Sequence, residues 1–283
     1  MRKQQKLLVT GLTTLLVCYV LICTFFYFIQ VSIIFGPSPL SQDFRYSYEF
    51  DFEERYFETE PGVKVHAIHA KADSSAGLVV YLHGNRGNNR ANSDLYRLFL
   101  ENDYDVLFPD YRGYGKSTGP LWNEDDLIGD VQYIYSKMKS EYEESSIIIV
   151  GYSLGSGIAA SVASENDPKA LVLWTPYYSM LDLKASSYSF LPDFLVRFPL
   201  RTDLALQQIE EPVYIFYAEN DRVLPVDRAL GLTDYLKDED EYYILEGQGH
   251  GGVYRNREVV EKTGEILKKS KVSLMILTSG IFL

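Results

Sequence analysis

Residues 147–157 read IIIVGYSLGSG. A β-branched run stops abruptly at Ser153, with Gly151 and Gly155 two positions away on either side. Such a corner has two uses. It is a flexible turn, or it is a sharp strand-to-helix bend that holds a nucleophile out, with glycines where side chains would clash. A serine hydroxyl is a weak nucleophile at neutral pH. The second use therefore requires a base to take its proton and a carboxylate to orient that base.

The chain has four histidines. His250 sits in EGQGHGG, after the last predicted strand and among glycines that leave it accessible. It is the expected base. His83 ends a buried strand before Gly84 and is expected to support its loop by hydrogen bonding. His66 and His69 fall on an early strand, away from the expected site, and read as structural. For the carboxylate, Asp221 follows a strand in YAENDRVLP, with Glu219 arriving two residues earlier and Asp182 in reserve. An acyl-transfer transition state also needs donors for its developing oxyanion. The backbone N–H of Leu154, just after the serine, is one candidate. The loop HGNRGNN (83–89) supplies the other, and Asn85 is the expected donor.

These residues need elements to position them. YSYEFDFEERYFETE (46–60) alternates aromatics with charges at strand period, and 63–72 returns as its hairpin partner after Pro61-Gly62. Residues 76–84, 104–113, 146–152, 170–176, 212–221 and 241–247 read as further strands, several apolar enough to be buried on both faces. Helices are predicted over 89–103, 124–140, 155–166, 225–237 and about 253–269. The acids at the start of 124–140 and the lysines at its end suit the helix dipole. Strands alternating with helices at this spacing predict an α/β fold: a mainly parallel sheet covered on both faces, with the first hairpin as an antiparallel edge. Ligands bind at the carboxyl ends of parallel strands. Ser153, Asp221 and His250 all follow predicted strands. Residues 177–211 interrupt the alternation and are read as a short cap over a pocket.

The net charge is −12 over 283 residues, and residues 1–35 carry Arg2, Lys3 and Lys6 with no acid, which leaves −15 for the rest. So acidic a domain has no electrostatic footprint for nucleic acid. An anionic membrane surface would repel it as well. Membrane contact is expected instead from residues 1–35. No charged residue occurs between Leu7 and Gln42, and the run to Phe35 is mostly apolar. It exceeds the roughly 18 residues that mark a spanning helix. It also exceeds the about 7–15 of a signal peptide's apolar region, and no small-residue cleavage site follows. The expectation is an uncleaved transmembrane helix, N-terminus cytoplasmic by its positive charges, with the large domain on the extracytoplasmic side. Residues 36–45 read as a linker, 46–270 as the domain, and 271–283 as an apolar tail too short to span. Both cysteines, Cys18 and Cys23, fall in the anchor, which excludes disulfides and cysteine metal sites from the domain.

The combination of YLHGNRGNN, PDYRGYGKSTG, GYSLGSG, AENDRVLP and GQGHGG resembles the α/β-hydrolase superfamily over residues 60–265. Within it the chain is similar to the single-pass, membrane-anchored branch of acyl-protein thioesterases, lysophospholipases and serine aminopeptidase-like proteins. The resemblance implies the α/β-hydrolase fold. It also implies a Ser153–Asp221–His250 triad, in that chain order, and an oxyanion hole at Asn85 and Leu154. The loop 110–117 matches a segment near the pocket, where Arg112 is expected to brace it. No cofactor is implied. The expected activity is ester or thioester hydrolysis through an acyl-enzyme, on lipid-like or acylated substrates. The same triad also suits a peptidase releasing N-terminal residues. A binding protein on an inactive scaffold would usually lack a triad member. Two features depart from the pattern: the segment after 170–176 is short, and the apolar tail has no counterpart. Oligomeric state is not legible.

Overall fold

The computed structural model describes residues 3–91 and 93–269; the tail at 271–283 lies outside them. In chain order the elements are α1 (Lys3–Ile34), β1 (Phe52–Glu60), β2 (Val63–Ala70), β3 (Gly77–Leu82), α2 (Ser93–Leu100), β4 (Tyr104–Pro109), α3 (Glu124–Met138), β5 (Ile147–Tyr152), α4 (Leu154–Ala163), β6 (Ala170–Trp174), α5 (Met180–Ser187), α6 (Thr202–Leu206), β7 (Val213–Ala218), α7 (Val226–Ala229), β8 (Glu241–Leu245) and α8 (Arg257–Lys268). The strands form one sheet in the order β1-β2-β4-β3-β5-β6-β7-β8. Strand β2 runs antiparallel to both β1 and β4, and all later pairings are parallel. The carboxyl ends of β3, β5, β7 and β8 therefore share one edge, and the loops holding Asn85, Ser153, Asp221 and His250 leave from it.

Alternation along the central strands sends neighbouring side chains to opposite faces. Ile147 and Ile149 join Leu171, Leu173 and Ile215 in one core, under α3, α4 and α6. Ile148 and Val150 join Val172, Trp174 and Phe216 in the other, under α2 and α8. Both cores are needed because parallel strands are buried on both sides. Helix α3 starts where the sequence marks it. Asn123 accepts from the Asp126 N–H while the Asp126 carboxylate accepts from the Asn123 N–H, a capping box.

Two sequence expectations are corrected. Residues 46–51 are not strand, which begins only at Phe52. Tyr46, Tyr48 and Phe50 do alternate, but the reason is stacking: Tyr48 and Phe50 lie 4.9 Å apart by ring centroid and both pack on Tyr96 of α2. An extended chain lying across a helix shows the same period as a strand. The helix expected over 225–237 keeps α-geometry only in α7, and 230–235 tightens into a 3-10 helix. Gly231 lies there against the Tyr178 ring, and the Tyr235 hydroxyl reaches that of Tyr178 at 2.8 Å. Tertiary contact overrides local helix preference.

Helix α1 is long and apolar enough to cross a membrane. Residues 3–22 are exposed throughout, whereas Cys23 and Phe35 are buried. At 1.5 Å per residue the exposed part is about 30 Å long, close to the thickness of a bilayer's hydrocarbon core.

Candidate active site

Ser153 occupies the turn between β5 and α4 with φ 52° and ψ −119°. A non-glycine residue in this region costs of order 1–3 kcal/mol and persists only where its surroundings impose it. They do so here through hydrogen bonds. The Ser153 N–H donates to the Trp174 carbonyl at 2.9 Å, and the Ser153 carbonyl accepts from the Ser156 N–H at 2.9 Å and hydroxyl at 2.7 Å. The flanking glycines serve close approach. A Cβ on Gly155 would stand 2.0 Å from the Leu82 carbonyl oxygen, and one on Gly151 2.5 Å from the Gly155 carbonyl oxygen. Helix α4 thereby docks directly on the end of β3, beside the Asn85 loop.

Ser153 Oγ lies 2.9 Å from His250 Nε2, and His250 Nδ1 lies 2.6 Å from Asp221 Oδ2. A carboxylate can only accept, so the imidazole proton sits on Nδ1 and the Nε2 lone pair faces the serine hydroxyl. Asp221 is fixed in turn, because its Oδ1 accepts from the N–H groups of Val223 and Leu224, both at 2.8 Å. Serine and carboxylate are buried, whereas the imidazole keeps some contact with solvent.

The other candidates lie elsewhere. Glu219 accepts from the Gly247 N–H at 2.8 Å and so braces the histidine loop. Asp182 pairs with Arg228 at 3.1 Å. His83 lies 2.7 Å from the Gly84 carbonyl and stacks on Tyr111 at 4.2 Å. Burial lowers its pKa and keeps it neutral. His66 and His69, on β2, are buried against Glu54 and Glu53 of β1. Arg112 makes a two-pronged pair with Asp130 at 2.7 and 2.8 Å and reaches Glu60 at 2.8 Å, which fastens the 110–117 loop to α3 and β1.

Asn85 and Leu154 line the same cavity as Ser153. As the first residue of α4, Leu154 has an N–H with no intrahelical acceptor. The Asn85 carbonyl is held from behind by the Tyr114 hydroxyl at 3.0 Å.

Sequence reasoning missed one positioning residue, Tyr152. Its hydroxyl donates to the His250 carbonyl at 2.9 Å and ties the strand before Ser153 to the loop carrying His250. Burial pushes this phenol up to about 12, so it remains a donor at neutral pH. Its only signal was its position next to Ser153. Among the described residues, no group of three or more His, Cys, Asp or Glu side chains could hold a metal ion.

The family described as "Serine aminopeptidase, S33" matches residues 73–201. That span holds Asn85, Ser153 and Leu154 but stops before Asp221 and His250. The chain is 26% identical over 229 residues to the lysophosphatidylserine lipase ABHD12 of Macaca fascicularis, covering 70% of this chain and 57% of the relative. It is 29% identical over 184 residues to the Danio rerio protein of that name, covering 57% and 47%. The chain thus spans about half the length of these relatives. Among solved structures, an esterase of Pyrococcus furiosus superposes with a TM-score of 0.68 at 20% identity, over 83% of this chain and 97% of that one. The chain has the α/β-hydrolase fold. A second esterase, from Exiguobacterium antarcticum, superposes with a TM-score of 0.62 at 19% identity over 77% of this chain and 100% of that one. At these identities the solved structures speak for the fold, and the site rests on this chain's own geometry.

Proposed function

We propose that this chain is a membrane-anchored serine hydrolase that cleaves carboxylic esters or thioesters of lipid-like substrates through an acyl-enzyme. Ser153 Oγ attacks the carbonyl carbon while His250 Nε2 takes its proton. The N–H groups of Asn85 and Leu154 receive the oxyanion, and Asp221 holds the imidazole and stabilises its cationic form. The leaving group then departs with the proton from His250. Water, activated by the same imidazole, releases the acid and restores the hydroxyl. The observation that carries this reading is the unbroken relay from Asp221 Oδ2 through His250 to Ser153 Oγ, at 2.6 and 2.9 Å, ending in an apolar cavity.

The cavity lining also favours the ester reading over the aminopeptidase one. Its described lining is mainly apolar and includes no carboxylate to receive a substrate ammonium. Lys184 is its one charged residue, and that ammonium is already paired with Asp193. The lipase relatives agree with a lipid-like substrate. In this reading α1 spans the bilayer with its N-terminus cytoplasmic, as the positive charges favour.

A fluorophosphonate probe tests the reading. It is expected to label the wild-type protein and to fail on Ser153→Ala; equal labelling of both would refute it. Faster turnover of amino-acid p-nitroanilides than of p-nitrophenyl esters would favour the peptidase.

A further inference from the structure

The helix that reads as an anchor does more than tether. Its last three turns pack on the domain, and one helical face (Cys23, Phe26, Tyr27, Gln30, Ile33 and Ile34) lines the cavity of about 290 Å³ that ends at Ser153. The opposite wall is α5 and the segment after it, including Met180, Leu183 and Leu191. Polar and aromatic contacts fix the two walls in register. The Gln30 amide donates to the Leu195 carbonyl at 2.8 Å and accepts from the Arg197 N–H at 2.9 Å. The Tyr19 hydroxyl donates to the Phe190 carbonyl at 2.9 Å. The Phe26 ring meets Tyr188 and Phe190 at 5.3 and 5.6 Å. At the inner end, the Tyr114 hydroxyl contacts both the Phe35 carbonyl that ends the helical segment and the Asn85 carbonyl. The helix and the oxyanion loop therefore share one anchor point.

The cavity continues outward. Cys23 and Tyr27 also line a second, shallower apolar groove that runs up α1 past Tyr19 and Val20 and under Phe194. Phe194 is 84% exposed and Phe190 48%, both beside residues 19–28 of α1. Large apolar side chains held out next to a spanning helix suit the interfacial layer of a bilayer.

We infer that residues 23–34 of α1 form one wall of an acyl-chain channel, and that the hydrocarbon chain of a membrane ester slides along this helix from the bilayer to Ser153. This rests on the reading of Ser153 as an acyl-transfer nucleophile. The occupant follows from the lining. The channel is mainly apolar: Gln30 and Lys184 also line it, but both are engaged with the Leu195 carbonyl, the Arg197 N–H and the Asp193 carboxylate, and the nucleophile and oxyanion residues stand at its closed end. It therefore suits a hydrocarbon chain whose polar atoms lie at its carbonyl terminus. The spanning helix is then a specificity element, and the domain freed of it would present an open slot.

The test uses the full chain in phosphatidylcholine vesicles. A hexadecyl fluorophosphonate with a terminal diazirine is reacted with Ser153, irradiated, and its cross-links mapped by mass spectrometry beside a butyl analogue. The long probe is expected to cross-link to the peptide carrying residues 23–34, and the butyl probe is not. Cross-links of the long probe confined to peptides outside α1 would overturn the inference while leaving the nucleophile intact. Absence of any adduct on Ser153 would remove the catalytic reading and this one together. A kinetic arm is independent. Cys23→Trp narrows the channel and is expected to lower the ratio of kcat/KM for long-chain over short-chain p-nitrophenyl esters by about tenfold or more, the scale of discrimination available to an apolar pocket. Leu12→Trp, on the lipid-facing stretch, should leave that ratio unchanged. An unchanged ratio in Cys23→Trp would refute the channel.

Discussion

The cavity has two sides built on different principles. The sheet side is made of short loops at strand ends, each displaying one polar group: Ser153 after β5, Asn85 after β3, Asp221 after β7 and His250 after β8. Backbone geometry and hydrogen bonds hold these groups in place, down to a serine at φ 52°. The other side is a mainly apolar surface from α1 and the 180–196 segment, joined by ring packing, by the Gln30 amide and by the Tyr19 hydroxyl. Chemistry demands fixed atoms and hence local motifs. Recognition of a hydrocarbon chain demands only shape and apolarity, which many sequences meet. The first side therefore leaves a signature in the sequence, and the second does not.

The largest expected effect lies on the sheet side. Ser153→Ala should lower ester turnover on the order of 10⁴-fold to 10⁶-fold, and Asp221→Asn on the order of 10⁴-fold, since the groups act as a unit. Steady-state kinetics with a short ester measures both. A loss below tenfold for Ser153→Ala would dissolve the contrast, because the motif side would no longer hold the chemistry. Gly155→Ala comes next and reports on structure. Its new Cβ would meet the Leu82 carbonyl oxygen at 2.0 Å, and two backbones cannot yield cheaply. Destabilisation of about 3 kcal/mol is expected, read as a fall in Tm of roughly 6–12 °C. A variant as stable as the wild type would show that α4 need not dock so closely on β3.

On the helix side the effects should be smaller and selective. Gln30→Leu removes the two hydrogen bonds that its amide makes to the segment after α5. At about 1 kcal/mol it should depress long-chain turnover roughly fivefold more than short-chain turnover. Equal depression of both would mean that α1 supports the whole fold rather than one wall. Smallest is Tyr152→Phe, which deletes the hydroxyl bonded to the His250 carbonyl. A two- to tenfold fall in kcat with KM little changed corresponds to one hydrogen bond of about 0.5–1.5 kcal/mol. A change confined to KM would assign Tyr152 to substrate binding instead of placement of the base.

The strands were legible because a parallel sheet buried on both faces leaves continuous apolar runs, such as IIIV before Ser153. The errors arose where side-chain packing imitates or overrides a local pattern: the stacked aromatics at 46–51 and the tightened helix at 230–235. Among the site residues, Ser153, Asp221 and His250 stood out because each is a reactive type beside a glycine-rich or strand-ending turn. Tyr152 did not, since a tyrosine next to a serine has no distinguishing chemistry until its partner 98 residues away is known. Gln30 was one of several polar residues in a mainly apolar helix, and its meaning depends on carbonyl and N–H groups 165 and 167 residues distant.

The amino-acid sequence by itself determined the alternating strand-and-helix order, the glycine-flanked serine, the acidic domain and the long apolar helix. Each follows from local sterics or from the apolar pattern of one segment. Only the tertiary structure decided that this helix, rather than ending at the membrane, lies against the cap and completes the cavity at Ser153. Contacts between distant apolar surfaces are set by the shapes of both partners, and neither segment's composition records the shape of the other.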